Sequence, residues 1–71
     1  MPSQTNNAMQ FLRFTPTHLR WLDEHFDDIQ RDYHRKWVVL AQDFALAFPQ
    51  DVNGREISGE VVMQRLLRYW V

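Results

Sequence analysis

Apolar and polar side chains alternate along most of this chain with the period of an α-helix. In the first such stretch the apolar residues follow at steps of three and four, which places them on one side of a helix. We predict that this side faces a core, and its residues are Leu19, Leu22, Phe26, Ile29 and Tyr33. The other side is acidic. Such a side is either an ordinary solvated surface or a surface that binds a basic partner. It carries Asp23, Glu24, Asp27, Asp28 and Asp32.

The start of this first helix is marked by Phe14, Thr15 and Pro16. Thr is a favoured N-cap and Pro suits the first helical position, so we predict these roles, with Phe14 packing back onto the helix. The preceding residues are largely polar and cannot bury enough apolar surface to become ordered. We therefore predict a flexible tail over residues 1–12 and one domain over residues 13–71.

A break at residues 34–35 is predicted to separate the first helix from a second. The apolar series of the second helix is Trp37, Leu40, Ala41, Phe44 and Phe48. Pro49 should end that helix, because proline disfavours a helical conformation in the residue before it.

Residues 49–57 are predicted to form a loop, since they contain Pro49, an Asn53-Gly54 pair and no alternating strand pattern. Ser58 then supplies an N-cap and Glu60 an acidic first turn for a third helix. The apolar residues of this third helix are Val61, Val62, Leu66, Tyr69 and Trp70. The expected fold class is all-α, a compact three-helix bundle.

Composition limits the functions open to such a bundle. The chain has 71 residues, no cysteine and a net charge of -1. The charge balance weakens bulk attraction to nucleic acid, and the lack of cysteine excludes disulfides and thiolate chemistry. Without a secretory signal or an apolar run long enough to cross a bilayer, an intracellular protein without membrane contact is expected.

Two segments resemble the Myb/SANT-like family of helix-turn-helix domains. The run from Trp37 to Phe44 is similar to the W-x-x-[IL]-A-x-x-[FL] second helix of that family. The run from Ser58 to Leu66 is similar to its [ST]-x-x-A-[VI]-x-x-[RH]-W third helix. Phe14-Thr15 followed by Leu22 looks like the family's opening aromatic-[ST] and downstream Leu. The departures are Thr17-His18-Leu19 in place of an opening acidic cluster, and a longer loop before the third helix.

The resemblance implies a nuclear binding module and two alternative functions for it. As a chromatin- or transcription-associated adaptor it would bind another protein through the exposed side of the third helix, at Met63, Gln64, Leu67 and Arg68, or a basic partner through the acidic side of the first helix. As a Myb-like DNA-binding repeat it would place that helix in the major groove. The DNA contacts would then come from Gln64, Arg65, Arg68, Arg35, Lys36 and Arg55, together with Arg13. The mixed apolar and arginine composition of the third helix favours the adaptor.

Other chemistry is not expected from this sequence. His18 and His25 are seven residues apart, but no tightly spaced ligand set accompanies them, so we predict no metal site. Carboxylate pairs such as Asp23 and Asp27 lie on an exposed helix side, where nothing would tune them for acid–base catalysis. We predict no enzyme activity, no cofactor and no small-molecule substrate. Trp21 and Trp70 are expected to cover the edge of the core, and the alternative is that both are exposed and anchor a partner.

Overall fold

The computed structural model describes residues 12–71, and four helices account for most of them. These are α1 (Pro16–Phe26), α2 (Tyr33–Ala47), α3 (Pro49–Val52) and α4 (Gly59–Trp70). The three longer helices confirm the predicted all-α class, and residues 12–71 contain no strand. Residues 1–11, most of the predicted tail, lie outside the described residues. Leu12 packs against the core.

The helix starts predicted from capping residues are confirmed at α1 and α4. The Thr15 hydroxyl accepts a hydrogen bond from the His18 backbone N–H at 3.2 Å. The His18 ring in turn accepts from the Thr15 N–H at 3.1 Å, which completes a capping box with His in the position usually held by Glu or Gln. Ser58 caps α4 by accepting from the Val61 N–H at 3.2 Å.

The predicted boundary between the first two helices is wrong. Helix α1 ends at Phe26, residues 27–32 form a turn, and the proposed break at residues 34–35 lies inside α2. The Asp32 carboxylate accepts from the Arg35 N–H at 2.9 Å and so starts α2 earlier than expected. Ile29 is buried from the turn, whereas Tyr33, also predicted to face the core, is 55% exposed. The apolar residues are spaced by three and four on both sides of this turn, so the sequence pattern was the same as that of one continuous helix.

The segment predicted as a loop contains the short helix α3. Pro49 both follows the end of α2 and opens α3, in the first helical position where its missing N–H costs nothing. Val52 is buried, so this turn contributes to the core. Asn53 and Gly54 adopt positive φ values of 53° and 78° and end α3 as a left-handed cap.

The core is built where α1, α2 and α4 meet. Its fully enclosed side chains are Leu22, Leu40, Phe44, Val62 and Leu66. Trp21 packs against this core from α1, as predicted. Helix α4 begins in close contact with α2, because a Cβ on Gly59 would lie only 3.0 Å from the Trp37 carbonyl carbon and oxygen. Tyr69 and Trp70, predicted on the apolar face of the third helix, are 44% and 43% exposed.

Candidate binding surface

The exposed side of α4 carries most of the residues predicted to bind a partner. Val62 and Leu66 point into the core, which turns Gln64, Leu67 and Arg68 towards solvent. Met63 is half-buried and packs against the core, so it contributes only part of its side chain to the surface. Leu67 is 39% exposed, an apolar side chain accessible to solvent next to Arg68.

A groove runs between α4, α1 and the chain that enters α1. It has a volume of about 490 Å³ and is lined by Leu12, Arg13, Phe14, Leu19, Arg65, Arg68 and Tyr69. The leucines and Phe14 are half-buried and form its apolar wall, while the three arginines and Tyr69 are exposed around it. We call this feature the arginine groove. Its wall is well supported, because the Phe14 ring stacks on Phe44 with centroids 5.4 Å apart.

The arginine groove is positively charged. None of its lining residues is acidic. Within residues 12–71, Arg13, Arg65 and Arg68 form neither an ion pair nor a hydrogen bond through their side chains. Three guanidinium groups without a local carboxylate give this part of the surface a positive potential, although the whole chain has a net charge of -1.

The other predicted basic DNA contacts do not line the arginine groove. Arg35 is in the first turn of α2, and the neighbouring Lys36 has its Nζ 4.5 Å from the centroid of the Phe26 ring, a cation–π arrangement. The Arg55 guanidinium donates to the Asp51 carbonyl oxygen at 3.0 Å. The structure thus brings Arg13, Arg65 and Arg68 together, places Arg55 with Arg13 around a neighbouring pocket, and leaves Arg35 and Lys36 on α2.

Sequence reasoning missed the contribution of Leu19 and Tyr69 to this surface, because both were assigned to the core. Each lies at the edge of the apolar side of its helix, where a side chain can contact the core and still line a groove. The phenol of Tyr69 was the available signal, since tyrosine combines an apolar ring with a polar tip that favours a partly exposed position.

A second group of aromatic residues, of which Trp37 is buried and Phe26 and Trp70 are partly exposed, lies where the end of α1 meets the start of α2. The Trp70 indole Nε1 donates to the Asp23 carboxylate at 2.7 Å. Its ring contacts Phe26 and Trp37, at centroid distances of 5.5 and 6.2 Å. Trp70 is 43% exposed and contacts Trp37 at the edge of the core, with its indole N–H hydrogen-bonded to α1.

The two histidines considered as metal ligands have structural partners instead. The Nδ1 of His18 accepts a backbone N–H, so the ring proton lies on Nε2, which donates to Asp51 at 2.8 Å. His25 stacks on Trp21 at a centroid distance of 4.2 Å, and its Nε2 is 3.5 Å from Asp43. In the part of the chain that the structure describes, no three metal-ligating side chains come together. Nor is any helix there long and apolar enough to cross a membrane.

Of the two features, the arginine groove with the adjoining exposed side of α4 has the charge and shape of a binding surface. In the aromatic group the Trp70 Nε1 donates to Asp23, whereas the buried Trp37 Nε1 has no hydrogen-bond partner among residues 12–71. No protein-family model, curated protein or solved structure matches this chain.

Proposed function

We propose that this chain is a non-enzymatic, Myb/SANT-like binding module that acts through protein–protein contacts made by α4. The observation that carries the proposal is the composition of the exposed part of that helix. Leu67 and Tyr69 are both about two-fifths exposed, and Arg65 and Arg68 stand beside them. Aromatic residues and arginine are enriched where proteins bind one another, and they supply much of the binding energy there.

The chromatin- or transcription-associated role, and with it a nuclear location, rests on the family resemblance. The resembling run from Trp37 to Phe44 lies within α2, and Ser58 caps α4 at the start of the second run. Both runs are helical, which agrees with the resemblance, but residues 48–58 with α3 stand in place of the turn of roughly three to four residues in a helix-turn-helix motif.

DNA is the second candidate, because three of the predicted basic contacts converge beside α4. Gln64 on the same helix has the amide group that pairs with adenine in the major groove. Against this candidate, Glu60 is exposed in the first turn of α4, and Arg35 and Lys36 lie on α2 and do not line the groove. Protein binding therefore accounts for more of the surface than DNA binding does.

Affinity capture from nuclear extract with matched leucine variants tests the proposal. Leu67→Asp places a charge on the proposed interface, whereas Leu46→Asp makes the same change on α2 at a side chain that is 79% exposed. We expect a set of proteins that the unmodified chain and Leu46→Asp retain and that Leu67→Asp loses. Equal retention by both variants would contradict an interface on α4.

A fluorescence titration with random duplex DNA tests the second candidate. Binding that weakens steeply as salt is raised would indicate phosphate contacts and favour DNA. Absence of binding at low salt would exclude it.

A further inference from the structure

The geometry points to an acidic protein segment as the occupant of the arginine groove: a short stretch in which one large apolar side chain is flanked by Asp or Glu. This inference rests on the proposed function as a protein-binding module and names the class of partner. The partner chemistry differs from the basic segment that the acidic side of α1 would suit.

Charge complementarity is the first argument. Arg13 approaches the groove from the chain before α1, and Arg65 and Arg68 approach it from α4, so guanidinium groups surround it on two sides. Because none of them is paired with a carboxylate of residues 12–71, their hydrogen-bond donors are available to a partner. Arginine presents its donors as a planar fork that matches a carboxylate, and each such pair is charge-assisted.

The apolar wall is the second argument, and it specifies more than charge. Leu12, Phe14 and Leu19 are half-buried and line the groove between the arginines. A volume of about 490 Å³ falls within the usual range of a pocket that accepts a bulky group. A partner made only of carboxylates would leave this wall in contact with water, whereas an inserted apolar side chain would cover it.

The surroundings of the groove distinguish a short acidic segment from a nucleic acid. Helix α1 carries Asp23 and Glu24 about one turn beyond the groove residue Leu19, and α4 carries Glu60. Duplex DNA presents a charge roughly every 1.7 Å along its axis, so phosphates beyond the groove would meet these carboxylates. A peptide segment with a few acidic residues can keep its charges among the three arginines.

The probe for this inference is a fluorescein-labelled peptide with one Phe between two runs of Asp and Glu, measured by fluorescence anisotropy. A second peptide replaces the Phe by Ala, and a third replaces every acidic residue by Lys. We expect the first peptide to bind, the second to bind several-fold more weakly, and the third not to bind. Equal binding of the first and third peptides would overturn the inference.

A double variant, Arg65→Ala with Arg68→Ala, locates the site. Both side chains are exposed and unpaired within residues 12–71, so circular dichroism should show an unchanged fold. We expect it to lose at least roughly tenfold in affinity for the first peptide, which corresponds to about 1.4 kcal/mol. The matched control is Arg20→Ala with Arg31→Ala, two exposed arginines that do not line the groove, and its affinity should be unchanged.

The outcomes separate this inference from the proposed function. If the two double variants bind the acidic peptide equally well, the groove is not the site. If random duplex DNA binds more tightly than the acidic peptide, and the Arg65→Ala, Arg68→Ala variant binds that DNA more weakly, the occupant is a nucleic acid and the inference is overturned. If the acidic peptide does not bind, but Leu67→Asp still loses proteins that the unmodified chain captures, the inference is overturned and the proposed function as a binding module stands.

Discussion

The Nε2 of His18 lies 2.8 Å from a carboxylate oxygen of Asp51, which joins the first turn of α1 to α3 across 33 residues of sequence. The other ring nitrogen accepts the Thr15 backbone N–H. The ring also contacts Phe44 and Phe48, with centroids 5.1 and 4.7 Å away. One buried histidine therefore caps a helix, fills part of the core and holds the short helix in place.

Replacing this histidine should strongly destabilise the fold. His18→Ala removes the reciprocal cap, the hydrogen bond to Asp51 and the ring contacts, and we expect a loss of about 2–4 kcal/mol in the free energy of unfolding. Urea unfolding followed by circular dichroism measures it. Asp51→Ala removes only the acceptor of the Nε2–H and should cost about 1–2 kcal/mol. An Asp28→Ala control in the exposed turn after α1 should lie within about 0.5 kcal/mol of the unmodified chain.

If His18→Ala were no more destabilising than Asp28→Ala, the ring would not occupy the core position described for it. If Asp51→Ala alone matched the full effect of His18→Ala, the bond between α1 and α3 would outweigh the ring packing.

The close approach of α4 to α2 makes the methyl group of Gly59→Ala unfavourable. Ala is better than Gly by about 1 kcal/mol inside a helix. Here, however, the added Cβ would meet two Trp37 backbone atoms at 3.0 Å and the Val38 nitrogen at 3.1 Å. Backbone atoms cannot move aside as a flexible side chain can, so we expect a net loss of about 1–3 kcal/mol in unfolding free energy. Chemical denaturation measures this loss.

Gln64→Ala is the control for helix propensity, because Gln64 is exposed on the same helix. It should be neutral or slightly stabilising. A stabilised Gly59→Ala variant would show that α4 and α2 are further apart than described.

Two leucines of α2 provide a matched test of the core. Leu40 is completely buried, whereas Leu46 is 79% exposed. Leu40→Ala leaves a cavity and should lower the free energy of unfolding by about 2–5 kcal/mol. Leu46→Ala should change it by less than about 0.5 kcal/mol. Thermal unfolding of both variants checks the difference, and equal Tm values would contradict the orientation of the helix.

The sequence was sufficient to predict the helix class and the starts of α1 and α4, because capping is a local interaction. Thr15 and Ser58 bond to backbone N–H groups only three residues away. The turn between α1 and α2 was not predicted, because its apolar side chain Ile29 is buried like a helical one. Asp32 was assigned to an acidic helix surface, although Asp is also a strong N-cap.

The arginine groove could not be predicted from the sequence, and the physical reason differs from that for the turn between α1 and α2. The exposed character of Arg65 and Arg68 follows from the period of α4, which is local. Their position beside Arg13 and Leu19 depends on how α4 crosses α1 and on the path of the chain before α1. These are tertiary relationships between residues far apart in the sequence, and no local pattern encodes them.

The hydrogen bond between Trp70 and Asp23 is suited to a double-mutant cycle, because it joins α4 to α1 through one pair of side chains. Trp70→Phe removes the indole donor and Asp23→Ala removes the acceptor. A coupling energy of about 0.5–1 kcal/mol is expected, the lower part of the usual range for a hydrogen bond, because both groups are accessible to water. Urea unfolding of the two single variants and the double variant gives this energy. A coupling of zero would mean that Trp70 is held by its contacts with Phe26 and Trp37 alone.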